Sequence, residues 1–215
     1  MRNFLKGNDI ETWKQRFLKY CDQELPPLPG MQIVKDISLV KKNKGKNLKG
    51  EASITKLQDF QFDEVLQTYC TNQDLMPYLK SFCGNNIKSV HTMFINKPPN
   101  MGVSSRHPMH QDFAYFPFGP EDNIVAAWAS LQDANIENGS LHVIPGTHRG
   151  KFFEHSYPDD GEVNKAYFGI MADQESLGKK IDLEMKKGDI VFFHPLLIHG
   201  SGPNKTQGFR KVYFR

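Results

Sequence analysis

Histidines and acids at defined spacings are what this chain offers for chemistry, and His110-Gln111-Asp112 is the first such group. In an extended segment residues two apart face the same way, so one imidazole and one carboxylate converge from a single short strand. A third ligand must come from elsewhere, and His199 is the natural candidate. It stands in the run Phe192-Phe193-His194-Pro195-Leu196-Leu197-Ile198-His199-Gly200, whose glycine allows close approach to a buried centre. Two imidazoles and a carboxylate on one face form the facial triad of non-haem iron(II) oxygenases. Three metal positions then stay open, two for a chelating 2-oxoacid and one for dioxygen. Arg210 follows in a strand candidate. Its planar guanidinium suits two-point capture of a remote carboxylate, such as the far end of 2-oxoglutarate. A surface ion pair is the plainer alternative.

Other histidines compete for roles. A local zinc cluster of His107, His110 and Asp112 is conceivable, but Pro108 blocks a regular helix there, so the two histidines lack a convergent spacing. His91 fits a core position in an alternating strand, His148 and His155 fit a solvated polar loop, and His194 fits packing behind the site.

The elements that must position these side chains begin near residue 87. Ile87, Ser89, His91, Met93 and Ile95 alternate with Lys88, Val90, Thr92, Phe94 and Asn96, a period of two that predicts a strand. Further strands are expected over 124–131, 141–144, 181–185, 190–193 and 209–214, with turns at Asn138-Gly139, Pro145-Gly146 and Lys187-Gly188-Asp189. Short strands with such turns indicate a sandwich or barrel-like β core. Residues 146–180 are too long and aperiodic for a hairpin and read as a functional excursion. Before residue 87 the pattern is helical. Asn8 or Asp9 caps a predicted helix carrying Ile10, Trp13, Phe17 and Cys21, and prolines 26, 27 and 29 stop it. Residues 31–40 read as a strand, and 63–69 and 71–82 as short helices, the second with a Thr71–Asp74 capping box and a Gly84 stop. The lysine-rich stretch 41–50 reads as a solvated loop, with phosphate attraction as the alternative.

Composition narrows the classes. A length of 215 residues fits one domain, and 39% hydrophobic residues suffice for a core. A net charge of +3 is too small to argue for nucleic acid. No apolar run is long enough for a membrane span, and the first residues lack the apolar core of a secretory signal. Three cysteines without C-x-x-C spacing are expected to be reduced, buried and intracellular.

Longer words in the sequence add a resemblance. Residues 91–99, 107–112 (His-Pro-Met-His-Gln-Asp), 115–118, 145–148, 188–202 and 204–211 closely resemble the phytanoyl-CoA dioxygenase (2-hydroxylase) family, in the right order over most of 52–211. The resemblance implies a mainly β double-stranded β-helix (jelly roll, cupin-like) with N-terminal helices. It implies iron(II), 2-oxoglutarate and supporting ascorbate, with dioxygen and a branched or straight acyl-CoA as reactants in fatty acid α-oxidation. Carried over by position, His110, Asp112 and His199 match iron ligands. Lys56, Met93, Trp128, Ser201 and Arg210 match contacts to 2-oxoglutarate. Phe113, Tyr115, Phe116 and Phe118 offer an apolar wall for the acyl path, or an ordinary aromatic core. The lysines of 41–50 would meet coenzyme A phosphates. Residues 1–215 are expected to form one dioxygenase domain, shortened at both ends: relatives begin before the first helix and continue past Arg210-Lys211. The final residues, Val212-Tyr213-Phe214-Arg215, show no Ser-Lys-Leu-type signal, so peroxisomal residence follows from the resemblance alone.

Overall fold

The computed structural model describes residues 1–35, 48–99, 105–157, 167–173 and 175–215. Most of the lysine-rich stretch, residues 41–47, lies outside them, as does the second half of the strand expected over 31–40. Two helices and twelve strands follow in chain order among the described residues. They are α1 (Gly7–Cys21), β1 (Gln32–Val34), β2 (Lys56–Gln58), α2 (Met76–Cys83), β3 (Met93–Lys97), β4 (His107–His110) and β5 (Ala126–Ser130). Then come β6 (Leu141–Val143), β7 (His155–Ser156), β8 (Gly169–Ile170), β9 (Ile181–Asp182), β10 (Ile190–Phe193), β11 (His199–Ser201) and β12 (Arg210–Phe214).

The strands form two antiparallel sheets, β1-β2-β3-β12-β5-β10 and β4-β11-β6-β9, with β7 and β8 in a separate ribbon. From β3 onward the chain crosses between the sheets: β3, β5, β10 and β12 lie in the larger, β4, β6, β9 and β11 in the smaller. That winding is a double-stranded β-helix.

The larger sheet is covered on both faces, which explains why every residue of β12 is buried. Alternation sends Tyr213 outward, where its ring stacks on Tyr69 at 4.8 Å and meets Trp13 edge-on at 5.2 Å. α1 presents Ile10, Trp13, Phe17, Tyr20 and Cys21 to this face, and Phe17 stacks on Phe94 of β3 at 4.3 Å. Each such side chain contributes about 2 kcal/mol of burial, an upper estimate. The opposite face of β12 turns Arg210, Val212 and Phe214 toward the smaller sheet, where Val212 and Phe214 pack with Trp128, Leu141 and Phe193.

Several element boundaries differ from those the sequence suggests. α1 starts at Gly7 with Lys6 at the cap and no side-chain cap bond, because the chain is pinned just before it. The Phe4 and Leu5 N–H groups both donate to Gly188 O. A Cβ on Gly188 would lie 2.9 Å from Leu5 O, so the predicted turn there needs its glycine. The capping box is absent: Asn72 Oδ1 takes the N–H groups of Asp74 and Leu75, Thr71 Oγ1 bonds back to Gln67 O, and α2 begins only at Met76. Residues 87–92 are not a strand: the pairing of β2 with β3 ends at Gln58 opposite Met93, and beyond it, among the described residues, only Thr92 O keeps a backbone bond, from Asp59 N. Gly84 does close α2, in a left-handed conformation with φ of 77°. All three cysteines are free thiols, Cys21 buried and Cys70 and Cys83 half-buried. Among the described residues no helix is long and apolar enough to cross a membrane.

Candidate metal centre and its cavities

β4 and β11 pair so that His199 stands directly opposite His110. Both side chains are buried, and their ring centroids are 4.2 Å apart. Gln111 is extended, which swings Asp112 back to the histidine face. Asp112 Oδ1 then lies 3.3 Å from His110 Nε2 and 3.5 Å from His199 Nε2. The Gln111 side chain points away and ties three segments together. Its Nε2 donates to Lys151 O and Leu196 O, and its Oε1 accepts from Phe153 N.

Tautomers follow from the partners. His110 Nδ1 is 2.8 Å from Pro108 O and His199 Nδ1 is 2.9 Å from Leu197 O. A carbonyl only accepts, so each Nδ1 carries a proton, and each Nε2 is the ring atom turned toward Asp112 and left for a metal. Burial pushes the His110 pKa down, with His199 adding to the shift. Burial pushes the Asp112 carboxyl up, but the two facing histidines outweigh it and hold it below the ordinary carboxylate range. Two imidazole Nε2 atoms and a carboxylate oxygen thus converge within 4.8 Å of one another, a donor set that would suit a cation.

Beside this trio a cavity of about 160 Å³ runs between the sheets to Arg210. Met93, Trp128, Ser201 and Arg210 all line it. The Arg210 guanidinium lies 5.6 Å from the Trp128 ring centre and donates from Nη2 to Gly139 O. Its Nε is buried without a partner. Arg210 is therefore not the surface ion-pair residue of the plainer reading. Lys56 is elsewhere: its ammonium sits over the Tyr167 ring at 4.9 Å, outside the cavity lining, and burial pushes it down to about 8. The sequence reading missed Lys97, whose Nζ donates to Ser201 Oγ at 2.8 Å and Gly202 O at 2.5 Å. The signal was available, since Lys97 continues the Met93, Ile95 face of β3.

A second cavity of about 320 Å³ reaches Asp112 from the other side. Leu79, Ile87, Val90, Phe116, Phe118 and Val125 give it an apolar lining. Phe116 and Phe118 thus line a path to the trio, whereas Phe113 packs on Phe152 and Tyr115 accepts from Phe168 N.

Two of the remaining histidines, His155 and His194, are placed differently from what the sequence suggests, and the zinc cluster that the sequence disfavours is absent among the described residues. His107 stacks on His110 at 4.1 Å, but among the described residues the donor trio is His110, Asp112 and His199, which removes the local zinc cluster. His155 is no solvated residue: its Nδ1 donates to Phe153 O and its Nε2 accepts the Gln111 N–H. His194 does not pack behind the site; it meets the exposed Asp122 at 3.2 Å. Gly200 is needed for its outer face, where a Cβ would come within 2.8 Å of His142 Nε2 and 2.9 Å of His107 O.

Known proteins share both sequence and fold. The family described as Phytanoyl-CoA dioxygenase (PhyH) matches residues 1–212. The peroxisomal phytanoyl-CoA dioxygenase of Homo sapiens is 47% identical over 214 residues, covering 99% of this chain and 62% of its own length. A probable phytanoyl-CoA dioxygenase of Caenorhabditis elegans is 45% identical over 217 residues, covering 99% of this chain and 68% of its own. The chain therefore spans little more than three fifths of the human relative. Among solved structures, EctD from S. alaskensis with 2-oxoglutarate and 5-hydroxyectoine superposes with a TM-score of 0.70 at 17% identity, covering 100% of this chain and 69% of its own. Its form with bound Fe gives 0.71 at 18%, with the same coverage. That likeness bears out the fold. The matched range takes in both the His110–Asp112 and the His199 segments, and on this match the chain belongs to the phytanoyl-CoA dioxygenase family.

Proposed function

We propose that the chain carries an iron(II)- and 2-oxoglutarate-dependent oxygenase activity that hydroxylates carbon 2 of phytanoyl-CoA or a related branched or straight acyl-CoA. One observation carries the reading: a two-histidine, one-carboxylate trio lies where a cavity ended by a buried guanidinium meets an apolar one. His110, Asp112 and His199 hold the metal. Their nitrogen and oxygen donors suit iron(II), and His110 and His199 reach it with rings already oriented by backbone carbonyls. Bound there, the metal would supply the dioxygen activation that breaking the C–H bond at carbon 2 requires.

The rest is work for the chain's own side chains. Arg210 and Ser201 fix the distal carboxylate of 2-oxoglutarate, while Met93 and Trp128 wall its carbon chain and exclude water. Lys56, placed on the Tyr167 ring, contributes positive charge beside the cavity. The apolar cavity takes the acyl chain, and Phe116 and Phe118 guide it toward Asp112. Dioxygen is the second reactant, and ascorbate is the reductant that keeps the metal ferrous. The mammalian relatives named as peroxisomal support a place in peroxisomal fatty acid α-oxidation.

The test is a coupled assay on the chain loaded anaerobically with iron(II). Given 2-oxoglutarate, phytanoyl-CoA and oxygen, succinate and a 2-hydroxyacyl-CoA are expected in equal amounts. Succinate without acyl product would replace the substrate assignment, and iron binding without any turnover would leave a metal-binding module in place of an enzyme.

A further inference from the structure

Lys97 and Arg210 face each other in register across β3 and β12. Like charges directly opposite in a sheet repel, and burial removes the water that would screen them. Lys97 is 5% exposed and Arg210 2%. Among the described residues neither makes an ion pair with a carboxylate. Burial, with Arg210 adding to it, pushes Lys97 far below its ordinary range, as expected where a compensating anion is lacking.

The donors around the pair are only partly used. Lys97 donates to Ser201 Oγ and Gly202 O, so its ammonium form, which a bound anion would restore, has a third proton to give. Since Ser201 Oγ accepts from Lys97, its own proton is free to donate. Arg210 leaves Nε unpartnered. Gly139 holds the two cations close: its carbonyl accepts from Arg210, and a Cβ there would lie 3.0 Å from Lys97 Cδ and 2.5 Å from Gly202 O.

Building on the proposed oxygenase reading, we propose that Lys97 is a second cationic group for the distal carboxylate of 2-oxoglutarate, completing a three-donor seat with Ser201 and Arg210. The carboxylate takes the free protons of all three and supplies the missing negative charge. Lys97 has a further effect on Ser201, whose hydroxyl it fixes as a donor.

The test is equilibrium binding by calorimetry to the Mn(II)-loaded chain. It compares 2-oxoglutarate with 2-oxopentanoate, which has the same carbon chain without the distal carboxylate. In Lys97→Met the affinity for 2-oxoglutarate is expected to fall at least about tenfold, with 2-oxopentanoate binding unchanged. Should Lys97→Met fail to fold, Lys97→Gln keeps a donor toward Ser201 without the charge, and the same ratio is read. Equal weakening of both ligands, or no weakening of either, would overturn the role of Lys97. A wild-type chain that does not prefer the dicarboxylate would instead overturn the oxygenase reading on which it rests.

Discussion

Asp112 serves two imidazoles at once, and neither can turn away, because each Nδ1 is committed to a carbonyl two residues before it in sequence. His199→Ala removes one of three donors while leaving β11 its backbone pairs. Losing an outer partner of a metal ligand typically costs 10–100-fold in affinity, so losing the ligand itself is expected to cost more than about 100-fold. Mn(II) titration of wild type and variant measures this, and unchanged affinity would remove His199 from the trio. The trio was legible because extended two-residue spacing is a local property and His199 stands in a run with few other polar groups. His155 was misread because its partner is the Gln111 backbone N–H, and a backbone donor leaves no mark on sequence. The face of Lys97 on β3 was legible, but its meaning depends on Arg210 of β12, which strand pairing alone brings near.

At the scale of elements, the hold of α1 on the larger sheet is polar as well as apolar. Asp63 is fully buried. Its Oδ1 accepts from Val65 N and Leu66 N, and its Oδ2 from Tyr20 Oη at 2.6 Å and Arg16 Nε at 2.9 Å. Asp63→Ala would strand these donors and is expected to cost about 3 kcal/mol in urea unfolding. Burial pushes the Asp63 carboxyl up, but these four donors outweigh it and hold it below the ordinary range. Its contribution is therefore complete above the ordinary carboxylate pKa of about 4 and is lost as pH falls through the lower folded value. The stability gap between wild type and variant should stay constant near neutrality and shrink at acid pH. A gap that does not change with pH would show that Asp63 acts without its charge. Elements with dense apolar content, such as β10 and β12, were readable to within a residue. β11 was not: with three residues, one of them Gly200, it is held by neighbours on both sides.

For the whole molecule, short strands and turns signalled a β sandwich or barrel, but no periodicity reveals that β12 inserts between β3 and β5. Strand order is set by long-range pairing, and here it came from family resemblance. The architecture gives the trio two separate approaches, which predicts separable effects. Val90 is 59% exposed at the apolar cavity, so Val90→Trp should fold normally. It is expected to raise the KM for the acyl substrate at least about tenfold while leaving 2-oxoglutarate affinity unchanged. Parallel loss of both would mean that the cavities act as one. The facing of His199 on His110 has a corollary for the folding chain. Strand side chains point alternately up and down, so sliding β11 along β4 by a single step would send one imidazole through to the far surface. Ion capture would then be a reporter of alignment: a misthreaded molecule can look β-rich and compact, yet only a correctly threaded one gains the extra stability that a tightly held ion confers.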